Sequence, residues 1–131
     1  MTNDVMHRIK RNKIPVFNAY PYPAQVLVYV IGEEEALLKA LPDHPIAGDT
    51  VNGRCSWMKI DGYNLITIGI RRDLSDFIAT AAHECYHAMN CCYTWFGAYH
   101  DTENDEPGAY FLAYLVREFS TRFGELIEAQ K

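Results

Sequence analysis

Two histidines four residues apart, His83 and His87, enclose Glu84 in the segment His83-Glu84-Cys85-Tyr86-His87. On a helix this spacing stacks both imidazoles on one face, about one turn apart. Imidazoles so placed can reach a single zinc ion at roughly 2.0–2.1 Å each. Glu84, one step round the helix, is poorly placed to share the metal but can touch a water held on it. A carboxylate there takes the proton of the attacking water and later hands it to a leaving amine. With five histidines and nine glutamates in 131 residues, chance supplies this pattern on the order of once per hundred such chains. The plainer alternative is a pair of surface or core histidines on an ordinary helix. The flanks argue against it: Ile78, Ala81, Ala82, Cys85, Ala88 and Met89 predict a largely apolar helix. Histidines and a carboxylate kept on a buried helix need partners, and a metal is one.

A catalytic zinc site takes three protein ligands and leaves a position for water. Downstream of His87 the candidates are His100, Asp101, Glu103, Asp105 and Glu106. The six residues after His87 contain no glycine, so a metzincin-type extension to a third histidine is absent. His100 has the wrong spacing for that class; it could line the site, though a solvated loop histidine is the commoner outcome. Glu106 is the strongest candidate. It opens a long helix that must pack back on the first. Ala109 and Ala113 give that helix a small-residue stripe permitting close approach, and a helix start holds a ligand on rigid backbone. Glu103 is the runner-up. Asp105 fits better as a helix cap or as a support for a ligand histidine, and a solvated acidic loop is the ordinary alternative for all of these acids.

The elements that must position these residues can be read from periodicity and turn chemistry. Residues 1–23 form an N-terminal segment that could lie outside the metal-site core, with a turn-prone stretch from Asn18 to Pro23. Ala24–Ile31 is a valine-rich run that predicts a buried strand. Glu33–Leu41 predicts a short helix with acids in its first turn, ended by Pro42. Residues 42–53 predict a loop. Arg54–Ile60 and Tyr63–Ile70 flank Asp61-Gly62, a pair that favours a tight hairpin turn. In the second of these strands Leu65, Thr67 and Gly69 share one face, and Asn64, Ile66, Ile68 and Ile70 the other. Asp73, with Ser75 as the alternative, is expected to cap a helix from about 76 to 95. After a polar loop, a last helix runs from Glu106 to about 128, capped by Asn104 or Asp105, with Pro107 in its first turn. The expected class is α+β, a small antiparallel or mixed sheet of about three strands in a single domain.

Composition limits the alternatives. The net charge of −5 leaves no electrostatic footprint for nucleic acid. The one basic cluster, Arg8 to Lys13, reads better as a solvated helix end than as a phosphate site. The first apolar stretch lies beyond residue 24, so no signal peptide is expected, and no run approaches the ~18 residues of a membrane span. Cys55, Cys85, Cys91 and Cys92 show neither a CxxC pair nor a secreted framework. Three of them, Cys85, Cys91 and Cys92, crowd the predicted helix as small apolar residues, and a reduced, cytoplasmic setting is expected. The oligomeric state is not legible.

His83-Glu84-x-x-His87, followed some twenty residues on by Asn104-Asp105-Glu106-Pro107-Gly108-Ala109-Tyr110-Phe111-Leu112-Ala113-Tyr114-Leu115, resembles the gluzincin pattern of zincin-like metallopeptidases. It is most similar to small HExxH proteins of phages and prophages in which a Glu-x-x-Ala-Tyr motif follows. More distantly it resembles metallopeptidases that inactivate phage-type repressors. The likeness covers roughly residues 63–120, which it marks as the metal-site core. It implies His83, His87 and Glu106 as zinc ligands and Glu84 as general base. It also implies that Tyr63–Ile70 is the strand above the active-site helix, along which an extended substrate pairs. Tyr110 is implied as an oxyanion stabiliser, although aromatic residues at helical spacing are more often core. The implied substrate is a protein or peptide, such as a host or phage regulatory protein, met in the host cytoplasm if the chain is phage-encoded. The competing expectation is a non-catalytic module of the same fold that binds a host protein.

Overall fold

The computed structural model describes residues 4–46, 48, 50–73 and 75–129. Its elements are α1 (Val5–Arg11), β1 (Val16–Asn18), β2 (Gln25–Ile31), α2 (Glu35–Ala40), β3 (Gly53–Ile60), β4 (Tyr63–Arg71), α3 (Phe77–Phe96) and α4 (Glu106–Ala129). The class is α+β, as the sequence predicts. Among the described residues the strands form one four-stranded sheet in the order β1-β2-β4-β3. β2 and β4 pair in parallel, and the outer pairs β1–β2 and β3–β4 are antiparallel. The strand beyond the expected three is β1, three residues long and therefore below the length at which alternation is readable.

Local chemistry explains most boundaries. Asp61 (φ 53°) and Gly62 (φ 81°) both occupy the left-handed region, the combination that matches the twist of a two-residue hairpin. The Asp61 side chain also accepts a hydrogen bond from Val5 N–H at 2.7 Å, tying the start of α1 to this turn. Val5 and Ile9 are fully buried, so α1 packs into the core on the sheet face that carries Leu27, Tyr29 and Leu65. α3 begins at Phe77 with Asp76 at its N-cap, and the Asp76 side chain makes no capping bond; neither Asp73 nor Ser75 caps it. Arg72, chelated by Glu33 at 2.6 and 2.8 Å, holds the chain at the end of β4, and the helix starts after the turn that follows. Gly97, at φ 73°, ends α3 with its N–H on Tyr93 C=O.

The strand faces divide the core as the alternation predicts. Val26, Val28, Val30, Ile66, Ile68 and Ile70 face α3 and α4. Leu27, Tyr29, Ile31 and Leu65 face α1 and α2. α3 meets the sheet through Ala81, Cys85, Ala88 and Cys92, all fully buried, a stripe of small side chains that allows close approach. α4 packs through Phe111, Leu115, Phe119 and Phe123, four large groups each contributing roughly 1.5–3 kcal/mol by burial. No helix among the described residues is long and apolar enough to cross a membrane.

Candidate metal centre

The face of α3 turned away from its small-residue stripe carries His83 and His87, both exposed, while Glu84 is 7% exposed. The apolar helix therefore keeps its carboxylate inside and its two imidazoles outside. The two Nε2 atoms lie 3.2 Å apart, with ring planes at 76°. Two nitrogens bound to one tetrahedral zinc ion at the usual bond length stand about 3.3 Å apart, so the pair fits a shared metal. Glu84 Oε2 is 3.9 Å from His83 Nε2, and the donor atoms of His83, Glu84 and His87 fall within 4.8 Å of one another. Burial pushes the Glu84 carboxyl above its ordinary value, against the pull of the two histidines. The thiols of α3 lie on its buried side: burial pushes those of Cys85 and Cys91 up to about 12 and that of Cys92 to about 11. Among the described residues all four cysteines are free thiols.

Glu84 is seated against β3. A Cβ at Gly53 would come within 3.0 Å of Glu84 Cγ and Oε2 and within 2.7 Å of Thr80 Cγ2, so only glycine leaves room for the carboxylate in its present place. Gly53 falls in the stretch predicted as loop. A glycine bordering a strand is a known mark of close backbone approach, and that is the signal that could have found it.

Among the described residues β3 is also an edge strand of the sheet, and it lies beside α3. The resemblance places the substrate along Tyr63–Ile70, but β4 is hydrogen-bonded on both sides, to β2 and to β3. A doubly paired strand has no backbone groups to offer a peptide, whereas β3 ends the sheet. Two hollows open between β3 and α3, one on each side of the histidine pair. The first, about 280 Å³, is lined by Asn52, Gly53, Asp76, Thr80, His83 and Glu84. The second, about 150 Å³, is lined by Trp57, His87, Asn90, Cys91, Thr94 and Trp95. Neither tryptophan is singled out by spacing in the sequence, because their meeting depends on how β3 docks on α3.

The remaining candidates lie apart from the cluster. Glu106 is the exposed first residue of α4, and Glu103 is exposed in the loop before it; neither joins His83, Glu84 and His87. The phase of α4 accounts for Glu106. Because Phe111, Leu115, Phe119 and Phe123 face the core, Ala109 and Ala113 face solvent, and the expected small-residue approach does not form. Tyr110 is 72% exposed and lines neither hollow. His100 sits between Tyr86 and Tyr93 with Nε2 2.6 Å from Asn90 Oδ1. With Asp101 and Asp105 it lines a separate cleft of about 550 Å³ that contains neither His83 nor His87. Asp105 opens α4 through its backbone carbonyl, which accepts Ala109 N–H. Comparison with protein-family models, curated proteins and solved structures finds no match to this chain.

Proposed function

We propose that the chain is a zinc-dependent metallopeptidase-like protein that hydrolyses peptide bonds in a protein or peptide substrate. The observation that carries this is the 3.2 Å separation of His83 and His87 Nε2 directly beside a buried Glu84 and a free strand edge. His83 and His87 would hold the ion. A bound zinc ion supplies Lewis acidity, polarising the scissile carbonyl and making water a nucleophile at neutral pH. Glu84 accepts the proton of the attacking water at Oε2 and returns it to the leaving amine. The outer edge of β3 pairs with an extended substrate, giving affinity through backbone hydrogen bonds with little demand on sequence. The resemblance assigns the third ligand position to Glu106. Its place outside the cluster makes Glu106→Gln the decisive variant: unchanged zinc affinity removes Glu106 from the ligand set.

Binding of a host protein without hydrolysis is favoured by one observation, that only two histidines and Glu84 cluster among the described residues. Glu84→Gln separates the two. In a peptidase it keeps zinc and lowers hydrolysis by about 10²–10⁴-fold, the usual worth of a general base. A Glu84→Gln protein as active as the parent would falsify the peptidase assignment. Purified parent protein without zinc would remove the peptidase account and leave the binding module.

A further inference from the structure

The two hollows that flank the histidine pair differ in chemistry. The one beside His83 is polar, with Asp76, Asn52 and Thr80. The one beside His87 is walled by Trp57 and Trp95, contains no carboxylate, and has Lys59 Nζ 5.8 Å from the Trp95 ring centroid. Trp57 is 53% exposed on β3 and shares this hollow with Trp95, so the two indoles make an accessible apolar wall. Alternation puts Cys55, Trp57 and Lys59 on the face of β3 that looks toward α3.

We infer that the Trp57–Trp95 hollow is the specificity subsite for an apolar side chain of a polypeptide laid along the edge of β3. Residues directly opposite in paired strands point to the same face, so the substrate residue opposite Trp57 directs its side chain toward this hollow, next to His87. About 150 Å³ is the volume that accommodates a benzene-sized group, which matches a phenylalanine ring or a leucine. Lys59 opposes a cationic side chain there, and an acidic one, though drawn to Lys59, would lose its hydration against the two indole faces. This inference deepens the peptidase proposal and rests on the same groove, but it concerns binding and can be measured without turnover.

Trp57 and Trp95 are the only two tryptophans of the chain, so intrinsic tryptophan fluorescence reports on this hollow alone. The test is a fluorescence titration of the Glu84→Gln protein, with and without zinc. The probes are blocked hexapeptides of alanine and glycine carrying one central Phe, Lys or Asp. The Phe peptide should shift the emission and bind about tenfold or more tightly than the other two. In Trp57→Ala, read through Trp95, and in Thr94→Arg, which fills the hollow from an exposed position, that preference should fall to about twofold or less. Thr94→Arg decides the matter if Trp57→Ala does not fold. Equal affinities, tightest binding of the Asp or Lys peptide, no binding of any peptide, or a preference that survives the deciding variant would overturn the subsite. Loss of the peptidase assignment is a separate result, read from zinc content and from hydrolysis by the parent and the Glu84→Gln protein, and it leaves these affinities untouched.

Discussion

Two histidine environments on this sheet invite comparison. On the α3 side, His83 and His87 project into solvent beside a buried carboxylate whose place depends on the missing Cβ of Gly53. On the opposite side, His44 is 4% exposed, its Nε2 lies 2.7 Å from Thr67 Oγ1, and its ring meets Tyr29 edge to face. Tyr29 in turn lies over Gly69, where a Cβ would come within 2.3 Å of the ring. Each region thus combines histidine with a glycine-made hollow, yet the energetic roles are opposite. His44 is a packed group whose removal disturbs the fold. His83 and His87 spend little on folding and turn their Nε2 atoms toward each other at 3.2 Å on the exposed side of α3. Exposure paired with convergence, more than histidine content, is what distinguishes a candidate metal centre.

The sharpest way to break the comparison is metal binding. His83→Ala or His87→Ala should weaken zinc binding at least about 100-fold by competition with a chelator, while His44→Ala leaves it unchanged. Metal-free His83→Ala should keep parental stability within about 0.5 kcal/mol, as expected of an exposed side chain. Next in size is the glycine pair. Gly69→Ala should cost about 2 kcal/mol in urea unfolding through overpacking against Tyr29. Gly53→Ala should displace Glu84 and reduce hydrolysis about tenfold, in line with the cost of misplacing a reacting group. His44→Ala should cost about 1 kcal/mol or somewhat more, because Thr67 Oγ1 loses its buried partner.

The smallest effect is in the pH dependence. Burial lowers the His44 pKa below its ordinary 6.5, against the opposing pull of the Pro45 backbone, and Arg54 adds to the lowering. As pH falls through 6.5, the unfolded chain takes up a proton that the folded chain resists, so stability drops toward acid. It is fully present above that value. Urea midpoints between pH 8 and 5 should show the decline, and His44→Gln should flatten it.

Much of this arrangement is legible in the chain itself. The alternation of residues 63–70 assigns both faces of β4, Asp61-Gly62 announces the hairpin, and the uninterrupted run from Phe77 to Phe96 carries His83, Glu84 and His87 on one helix. Pairing order is less accessible, because it depends on contacts between distant segments; hence β4, readable as a strand, could not be recognised as an interior one. The position of Glu106 is a different kind of miss. The four-residue spacing of Phe111, Leu115, Phe119 and Phe123 is visible in the sequence, and it sets the phase of α4 more strongly than two alanines. Large apolar groups outweigh small ones when a helix chooses the face it buries.

The four thiols carry a consequence of their own. Cys85, Cys91 and Cys92 are buried in α3, and Cys55 packs against the same cluster from β3. A small thiol-reactive reagent can therefore reach Cys85 and Cys92, both fully buried, only when α3 lifts from the sheet. Its labelling rate becomes a clock for that one layer, separate from unfolding of the whole chain.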